Sequence, residues 1–209
     1  MDMLDNLKNY KIILASNSPR RRELLAGLGI DFEVRVLKDI DETYPEGSLS
    51  PQEVPIYIST KKAEGNRGFM KADELLITAD TVVIVDDEVL GKPVDAADAV
   101  RMLRKLSGRT HSVVTGVCLT TADMQRSFSV TTGVTFKMLT DEEIDYYVTE
   151  YKPFDKAGAY GIQEWIGYIG VTGLNGSYFN VMGLPVQRIY SELKHFSGGR
   201  QKKIGVDVT

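Results

Sequence analysis

Basic side chains cluster at one strand-to-helix junction near the N-terminus. Residues 16–22 read Ser-Asn-Ser-Pro-Arg-Arg-Arg. Ser18 fits a helix N-cap and Pro19 the first helical position, so Arg20 and Arg21 fall in the first helical turn. Free backbone N–H groups and the helix dipole already make that turn positive, and further cations are unfavourable there unless an anion binds them. The arginines therefore predict a binding site for an anion such as a phosphate.

The same turn has a plainer interpretation, in which the basic side chains are simply solvated. We adopt that interpretation for Arg22. For Arg20 and Arg21 we favour phosphate binding, because a strand, a short loop and a helix start form the arrangement that anion sites use. Ser16 adds a hydroxyl group to this candidate site.

A lone carboxylate, Asp80, interrupts the apolar run of residues 75–85. A charged group in a buried strand carries a large desolvation cost unless it is paired, hydrogen-bonded or bound to a metal. Asp80 is therefore a candidate general base or metal ligand, and a purely structural Asp held by backbone N–H groups is the weaker alternative. Asp86-Asp87, followed by Glu88-Val89-Leu90, predicts a hairpin turn. Lys92 comes just after this hairpin, where the chain can return to the same cleft, although alone it is a weak signal.

Three other stretches carry polar groups whose role the residues alone leave open. Residues 39–42 contain three acids, which favour a solvated loop but can also supply a Mg²⁺ ligand. Lys61 or Lys62 can lean into a cleft from the edge of a core-facing helical stripe, although a solvent-facing lysine is the ordinary state. Residues 152–163 offer a carboxylate, an ammonium group and an amide that could read a base edge, namely Asp155, Lys156 and Gln163.

The composition excludes several classes of protein. The 209 residues, 43% hydrophobic and 26% charged, can form one large globular domain. The net charge of −4 gives no general attraction to nucleic acid or anionic membranes, and no apolar run approaches the roughly 20 residues of a membrane span. A single cysteine, Cys118, and an N-terminus unlike a signal peptide favour the cytoplasm. With only His111 and His195, any metal should be a hard ion held by carboxylates.

Strand and helix patterns alternate in a way typical of an α/β protein. We predict a single domain of residues 1–197 and a polar C-terminal tail of residues 198–209. The first predicted strand begins at residue 12. The other predicted strands cover residues 32–36, 75–85, 88–90, 110–120, 127–138 and 165–171. Predicted helices begin at residue 19 and cover residues 51–67, 96–106, 141–149 and 185–194. Capping boxes mark the second and fourth helix starts, at residues 50–53 and 140–143.

Three stretches together resemble the Maf-like nucleotide pyrophosphatases over about residues 11–195. They are residues 15–25, the Ala-Asp-Thr-Val-Val of residues 79–83 with Gly-Lys-Pro at 91–93, and residues 155–163 followed by Asn-Gly-Ser-Tyr and Gly-Leu-Pro. The resemblance implies an α/β fold with an elongated mixed β-sheet flanked by helices. It also implies two lobes around a cleft, a relation to the inosine triphosphate pyrophosphatases and a homodimer. The implied reaction cleaves a nucleoside triphosphate between the α and β phosphates, with Mg²⁺ or Mn²⁺.

The resemblance carries roles onto individual residues of this chain. Asp80 corresponds to the residue that orients or deprotonates the attacking water, and Glu42 and Asp80 correspond to the acids at the metal. The implied triphosphate contacts are Ser16, Arg21, Lys62 and Lys92. A three-position substrate code falls on Arg20, Thr81 and Gln163, and it favours the dTTP/UTP branch over the branch acting on 7-methyl-GTP. The chain departs from the family pattern at Asn17, Lys61 and the bulky pair Glu164-Trp165, the last of which adjoins the base-reading segment.

Chemistry argued from the residues agrees with this implied activity. Hydrolysis of a phosphoanhydride needs a positioned water, a metal shared among phosphate oxygens and cations for the leaving group. The absence of a Gly-x-x-x-x-Gly-Lys-Ser/Thr motif argues against a P-loop ATPase. One alternative remains a nucleotide-binding regulator of cell division that has little or no turnover. Single-stranded nucleic-acid binding is disfavoured by the acidic balance.

Overall fold

The computed structural model describes residues 4–37, 40–45 and 47–196. The strands are β1 (Lys11–Leu14), β2 (Glu33–Val34), β3 (Glu74–Val85), β4 (Glu88–Leu90), β5 (Thr110–Thr120), β6 (Gln125–Phe136) and β7 (Val171–Asn175). The α-helices are α1 (Pro19–Ala26), α2 (Val54–Arg67), α3 (Ala96–Leu106), α4 (Asp141–Tyr151), α5 (Trp165–Gly170), α6 (Tyr178–Met182) and α7 (Val186–Lys194). The predicted tail of residues 198–209 lies outside the described residues.

The strands of the described chain form one mixed sheet of seven strands in the order β2-β1-β3-β5-β6-β7, with β4 also paired to β3. β1 is parallel to β2 and β3, whereas the other pairs are antiparallel. The three long central strands β3, β5 and β6 have 12, 11 and 12 residues. This elongated mixed sheet with flanking helices confirms the predicted α/β fold class.

Among the described residues, one edge of β3 has no paired strand in the middle of its length. Residues 74–77 pair with β1 and residues 83–85 pair with β4, while β5 pairs with residues 76–84 along the opposite edge. Within the described chain, residues 78–82 therefore have strand partners on the β5 side alone. Side chains from elsewhere can reach the backbone and side chains of this short stretch, which includes Asp80.

Two main hydrophobic cores lie beside the opening. The first packs α3, α4 and α5 against the sheet around side chains such as Leu103, Phe136 and Tyr147. The second packs α1 and α7 against the sheet around side chains such as Leu25 and Ile77. The two cores correspond to the two predicted lobes.

Helix α2 approaches β5 closely, and the contact depends on Gly116. A side-chain carbon at Gly116 would lie 2.3 Å from the carbonyl carbon and oxygen of Pro55 and 2.4 Å from the nitrogen of Ile56. These are backbone atoms, so they cannot rotate away. A residue without a side chain is required where this helix crosses the sheet.

We expect Gly116→Ala to destabilise the protein by about 1–3 kcal/mol, because overpacking must displace the α2 backbone. For a chain of this size that loss corresponds to a melting temperature lower by roughly 3–10 °C, measurable by thermal unfolding. Gly68→Ala is the matched control, since its φ is −66° and no atom lies within 4 Å of the added carbon. Equal melting temperatures for the two variants would contradict the assigned contact.

The prediction of a strand at residues 165–171 is wrong, because residues 165–170 form α5. The backbone N–H groups of Gly167 and Tyr168 donate to the carbonyl of Glu164, at 2.8 and 3.3 Å. A side-chain carbon at Gly167 would lie 1.8 Å from the carbonyl oxygen of Ile162, so the chain turns tightly there and cannot extend. Ile166 is buried while Tyr168 is 83% exposed, which is the one-sided burial of a surface helix.

Other predicted boundaries shift. The strand predicted at residues 32–36 is only Glu33–Val34. Helix α2 begins at Val54 and not at residue 51, although the Glu53 carboxylate accepts bonds from the Ser50 N–H and hydroxyl at 2.8 and 2.7 Å. Pro55 explains the later start, because a proline four residues into a helix lacks the N–H that the first carbonyl needs.

Three turn and cap predictions are confirmed. Ser18 and Thr140 cap α1 and α4, and Thr140 forms a complete capping box with Glu143. Asp86 and Asp87 form the β3–β4 turn with φ of 50° and 60°, as a two-residue type I′ hairpin requires. No helix among the residues described here is long and apolar enough to cross a membrane.

Candidate active site

A cleft of about 620 Å³ lies at the open edge of β3. Its walls come from the start of α1, the loop around residue 42, α2, the middle of β3, the segment after β4, residues 155–163 and the end of α6. All of the site residues predicted from the sequence line this cleft: Ser16, Arg20, Arg21, Glu42, Lys62, Asp80, Thr81, Lys92 and Gln163. Residues far apart in the chain are therefore brought together in one place.

The N-terminal end of α1 provides the anion-binding arrangement. Ser18 accepts a bond from the Arg21 N–H at 3.4 Å, and its own N–H donates to the Ser16 hydroxyl at 3.2 Å. The first turn of the helix contains no acidic residue. The helix dipole and the arginines of this turn therefore present positive charge to the cleft.

Arg21 joins three parts of the cleft wall. Its Nε donates to the carbonyl of Gly183 at 2.8 Å, one Nη to the carbonyl of Ala79 at 2.8 Å and the other to the Thr81 hydroxyl at 3.1 Å. The Ala79 carbonyl belongs to the stretch of β3 that lacks a strand partner on this edge. Burial lowers the pKa of Arg21, with Asp80 opposing the shift, and the guanidinium stays charged. Arg21 is thus a structural brace as well as a cation in the cleft.

Asp80 and Glu42 meet at Lys62. The Lys62 Nζ lies 2.9 Å from Asp80 Oδ1 and 3.1 Å from Glu42 Oε2. The side chains of Lys62 and Asp80 are only 13% and 15% exposed, whereas Glu42 is 53% exposed. Of the two adjacent lysines on α2, Lys62 is therefore the one that points into the cleft.

Lys61 anchors the loop that carries Glu42. Its Nζ lies 2.7 Å from Asp41 Oδ2 and 2.9 Å from the carbonyl oxygen of Thr43. Hydrogen bonds from Lys61 and Thr43 lower the pKa of the Asp41 carboxyl below its usual range. Two neighbouring lysines thus hold two neighbouring acids of one loop. Asp39, the other acid of this stretch, lies outside the described residues.

The described residues contain no group of three or more His, Cys, Asp or Glu side chains arranged to hold a metal ion. Three carboxylates of the described chain line the cleft. Asp155 is paired with Arg20 and Lys156, which leaves Glu42 and Asp80 as the available donors. These two share the Lys62 ammonium. Mg²⁺ commonly takes one or two protein carboxylates and completes its coordination with phosphate oxygens and water. The donor set therefore fits a hard divalent cation that binds together with a phosphorylated ligand.

Arg20 crosses the cleft from α1 to the segment of residues 152–164. Its Nη1 lies 2.8 Å from Asp155 Oδ2, and the other Asp155 oxygen lies 2.8 Å from Lys156 Nζ. Burial raises the pKa of Asp155, but hydrogen bonds from Lys156 and Arg20 outweigh it and lower the pKa to about 2. Asp155 is therefore a carboxylate over the whole neutral range and pairs the two cations.

The remaining predicted site residues differ in solvent exposure and in the bonds that their side chains make. The Gln163 Oε1 is buried and has no hydrogen-bond partner among the described residues. Lys92 is exposed and has no carboxylate within ion-pair distance in the described chain. The Thr81 hydroxyl, in contrast, bonds Arg21 at 3.1 Å and Thr115 at 2.9 Å. Lys92 is therefore exposed to a ligand, Gln163 lines the cleft with its acceptor oxygen buried and unpaired among the described residues, and Thr81 supports the arginine.

Asn180, which supports the site, was not predicted from the sequence. Its side chain is fully buried, and its amide donates to the carbonyl of Val113 at 3.1 Å and to the Thr132 hydroxyl at 3.0 Å. These bonds fix α6, whose end places the Gly183 carbonyl against Arg21. A lone Asn in a short helix carries no periodic or motif signal that distinguishes it from a surface residue.

The α/β fold brings a helix N-terminus, the cations Arg20, Arg21 and Lys92 and a lysine-paired carboxylate into one cleft, an arrangement of the kind that suits a phosphorylated ligand. The family model described as "Maf-like protein" matches residues 11–196. The chain belongs to this Maf-like family, as the motifs predicted.

Known proteins of similar sequence cover almost the whole chain. A dTTP/UTP pyrophosphatase of Phocaeicola vulgatus is 65% identical over 192 residues, which are 92% of this chain and 99% of that protein. A dTTP/UTP pyrophosphatase of Parabacteroides distasonis is 61% identical over 194 residues, 93% of this chain and 100% of that protein. The solved structure of the Staphylococcus aureus Ham1 protein matches 88% of this chain and 98% of the Ham1 chain, with a TM-score of 0.50 and 17% sequence identity. That last likeness concerns the fold alone.

Proposed function

We propose that this protein is a nucleoside triphosphate pyrophosphatase that hydrolyses dTTP and UTP between the α and β phosphates. The observation that carries the proposal is the Asp80 carboxylate, held 2.9 Å from Lys62 in the same cleft as the α1 N-terminus and its arginines. The relatives that bear the name dTTP/UTP pyrophosphatase, at 61% and 65% identity, support the same reaction.

The triphosphate binds along the basic side of the cleft. Ser16 and the N–H groups at the start of α1 donate to phosphate oxygens, and Arg20 and Arg21 add positive charge. Lys92 lines the same cleft, has no carboxylate within ion-pair distance among the described residues and is suited to the β and γ phosphates. Together these groups offset the charge of the substrate and of the pyrophosphate that leaves.

Asp80 acts on the attacking water. Its carboxylate accepts a proton as the water oxygen attacks the α phosphorus and the bond to the β-phosphate oxygen breaks, so that pyrophosphate leaves. Lys62 holds one Asp80 oxygen, which leaves the other for the water. A divalent cation, Mg²⁺ or Mn²⁺, held by Glu42 and Asp80 would neutralise charge on the phosphate oxygens. Lys62 keeps these two carboxylates together.

Gln163 supports the choice of pyrimidine base. Its buried Oε1 has no hydrogen-bond partner among the residues that the structure describes and can accept a hydrogen bond. Uracil and thymine carry an N3–H donor, whereas the N3 of cytosine is an acceptor. A site that leaves a buried acceptor unpaired rejects a base without the matching donor. This argument favours dTTP and UTP over CTP.

The active form is proposed to be a homodimer of single-domain chains, as the family resemblance implies. Large aromatic side chains are exposed along residues 146–179, and such side chains are enriched at protein interfaces: Tyr146, Tyr151, Phe154, Tyr168, Tyr178 and Phe179. Light scattering on the purified protein tests this part, because a monomeric mass at all concentrations contradicts it.

Pyrophosphate release from a panel of nucleotides tests the proposed function. The panel contains dTTP, UTP, CTP, dATP, GTP, ITP and 7-methyl-GTP, each with Mg²⁺ or Mn²⁺ and with a chelator as control. We expect a preference for dTTP and UTP, with the monophosphate as co-product. A preference for 7-methyl-GTP or ITP would retain the reaction but overturn the assigned specificity. Binding without turnover on any nucleotide would favour the nucleotide-binding regulator instead.

A further inference from the structure

A buried tyrosine fastens the turn that carries Gln163. Residues 161–164 form a turn closed by a bond from the Glu164 N–H to the Gly161 carbonyl at 3.0 Å. The hydroxyl of Tyr147, on α4, accepts from the Gly161 N–H at 3.0 Å and donates to the Glu164 carboxylate. One hydroxyl group therefore joins both ends of the four-residue turn.

The Tyr147 hydroxyl remains protonated and able to donate. The residue is fully buried, and burial together with the bond to Glu164 raises the pKa of Tyr147 well above its ordinary value. The other Glu164 oxygen lies 3.1 Å from Lys156 Nζ, whose side chain is only 9% exposed. Glu164 is thus held from both sides, by a phenol from the core and by an ammonium group from the cleft wall.

The same turn is packed without spare room. A side-chain carbon at Gly161 would lie 3.0 Å from Gln163 Nε2, 3.0 Å from the Glu164 carboxyl carbon and 3.1 Å from Lys156 Cε. The three side chains therefore converge on one glycine. The Gln163 amide nitrogen therefore lies close to Gly161 and to the Glu164 carboxyl group, and its buried Oε1 has no hydrogen-bond partner in the part of the chain that the structure describes.

We propose that Tyr147 and Glu164 are positioning residues for base selectivity: they fix the 161–164 turn so that the Gln163 amide presents one defined edge to the nucleobase. This proposal rests on the proposed function. With the turn fixed, the buried acceptor meets the N3–H of uracil or thymine and rejects cytosine. With the turn loosened, the Gln163 amide can rotate so that its NH₂ group takes the place of its oxygen. The NH₂ group can donate to N3 of cytosine, and the selectivity is lost.

The network also reaches the phosphate side of the cleft. From Glu164 it continues through Lys156 to Asp155, and from Asp155 to Arg20 in the first turn of α1. Opposite charges alternate along this path, so each member stabilises the next. Correct placement of the base is in this way tied to the residues that meet the triphosphate.

The test compares Tyr147→Phe and Glu164→Ala with the wild type. The measured quantity is the ratio of kcat/KM for UTP to kcat/KM for CTP, from pyrophosphate release. We expect each variant to lower this ratio by about tenfold or more, through loss of the fixed hydrogen-bond pattern. Glu164→Gln keeps an acceptor for Tyr147 and should retain more of the ratio than Glu164→Ala. General loss of stability lowers both rates alike and leaves the ratio unchanged.

Two controls remove comparable groups from the same helix outside the network. Tyr146→Phe deletes a hydroxyl from a half-exposed neighbour, and Glu150→Gln deletes an exposed charge. Both should keep the wild-type ratio. If Tyr147→Phe does not fold, Glu164→Ala decides, since that side chain is 21% exposed. A UTP-to-CTP ratio within twofold of the wild type in the folded variants overturns the proposal.

Calorimetric binding of UMP and CMP separates this proposal from the proposed function. If the wild type released no pyrophosphate, the proposed function would fail, but the ratio of UMP to CMP affinity would still report on base selection. A wild-type preference for UMP that the two variants lose supports the positioning role. Equal preferences in the wild type and both variants contradict it.

Discussion

Asp80→Asn is expected to abolish nearly all pyrophosphate release while the fold and nucleotide binding remain. The amide has the same shape and can still accept a bond from Lys62, which lies 2.9 Å from the carboxylate. It cannot take a proton from water at neutral pH. Loss of a positioned general base costs about 10²–10⁴-fold in rate, and we expect a fall in kcat of about 10³-fold.

Initial rates of pyrophosphate release from UTP measure this effect, with thermal unfolding and calorimetric nucleotide binding on the same preparations. Asp123→Asn is the matched control, because Asp123 lies exposed in the turn between β5 and β6. It should behave as wild type in all three measurements. An Asp80→Asn enzyme within tenfold of the wild-type kcat would remove Asp80 from the mechanism.

The prominence of Asp80 in the sequence has a physical reason. A carboxylate in an apolar strand stands out wherever the strand lies, because its desolvation must be compensated. The partner that compensates it could not be chosen from the sequence, since Lys61 and Lys62 differ by only one position along α2. The rotation of α2 about its axis, set where its backbone contacts Gly116, points Lys62 into the cleft and Lys61 toward the loop of residues 41–43.

The gap in the strand pairing along one edge of β3 could not be predicted from the sequence. The apolar run of residues 75–85 predicts one buried strand, and this is confirmed. In the structure, β1 pairs with the first part of this strand and β4 with its last part. This pairing is a property of the whole sheet and leaves no local sequence pattern. The cleft exists because neither strand covers residues 78–82. The sequence could therefore predict residues that line the cleft but not the gap in the strand pairing that opens it.

Local patterns failed where tertiary contacts decided the backbone. The run Trp-Ile-Gly-Tyr-Ile-Gly at residues 165–170 has the composition of a strand, yet it follows a turn fastened by Tyr147 and Glu164. That turn leaves the Glu164 carbonyl in place to accept the first bonds of a helix. Propensity is a weak prior when a preceding turn already fixes the chain direction.

Arg21→Lys is expected to impair both stability and activity, although it keeps the charge. The Arg21 guanidinium serves the carbonyls of Ala79 and Gly183 and the Thr81 hydroxyl at the same time, at 2.8 to 3.1 Å. An ammonium group on a single stem cannot reach acceptors from three segments with this planar geometry. Buried carbonyl groups left without donors cost about 1–3 kcal/mol each, which for two carbonyls lowers the melting temperature by roughly 10 °C.

The effect of this variant on catalysis follows from the same geometry. Ala79 and Thr81 flank Asp80, so loss of the brace frees the backbone that holds the Asp80 carboxylate. If that carboxylate is the proposed base, its misplacement by about 1 Å can cost about 10²-fold in kcat/KM. Arg22→Lys on the exposed face of α1 is the matched control and should leave the melting temperature and kcat/KM unchanged. Thermal unfolding and UTP hydrolysis of both variants decide the matter. If Arg21→Lys matches Arg22→Lys in both measurements, Arg21 acts only as a phosphate cation and not as the brace of the open strand.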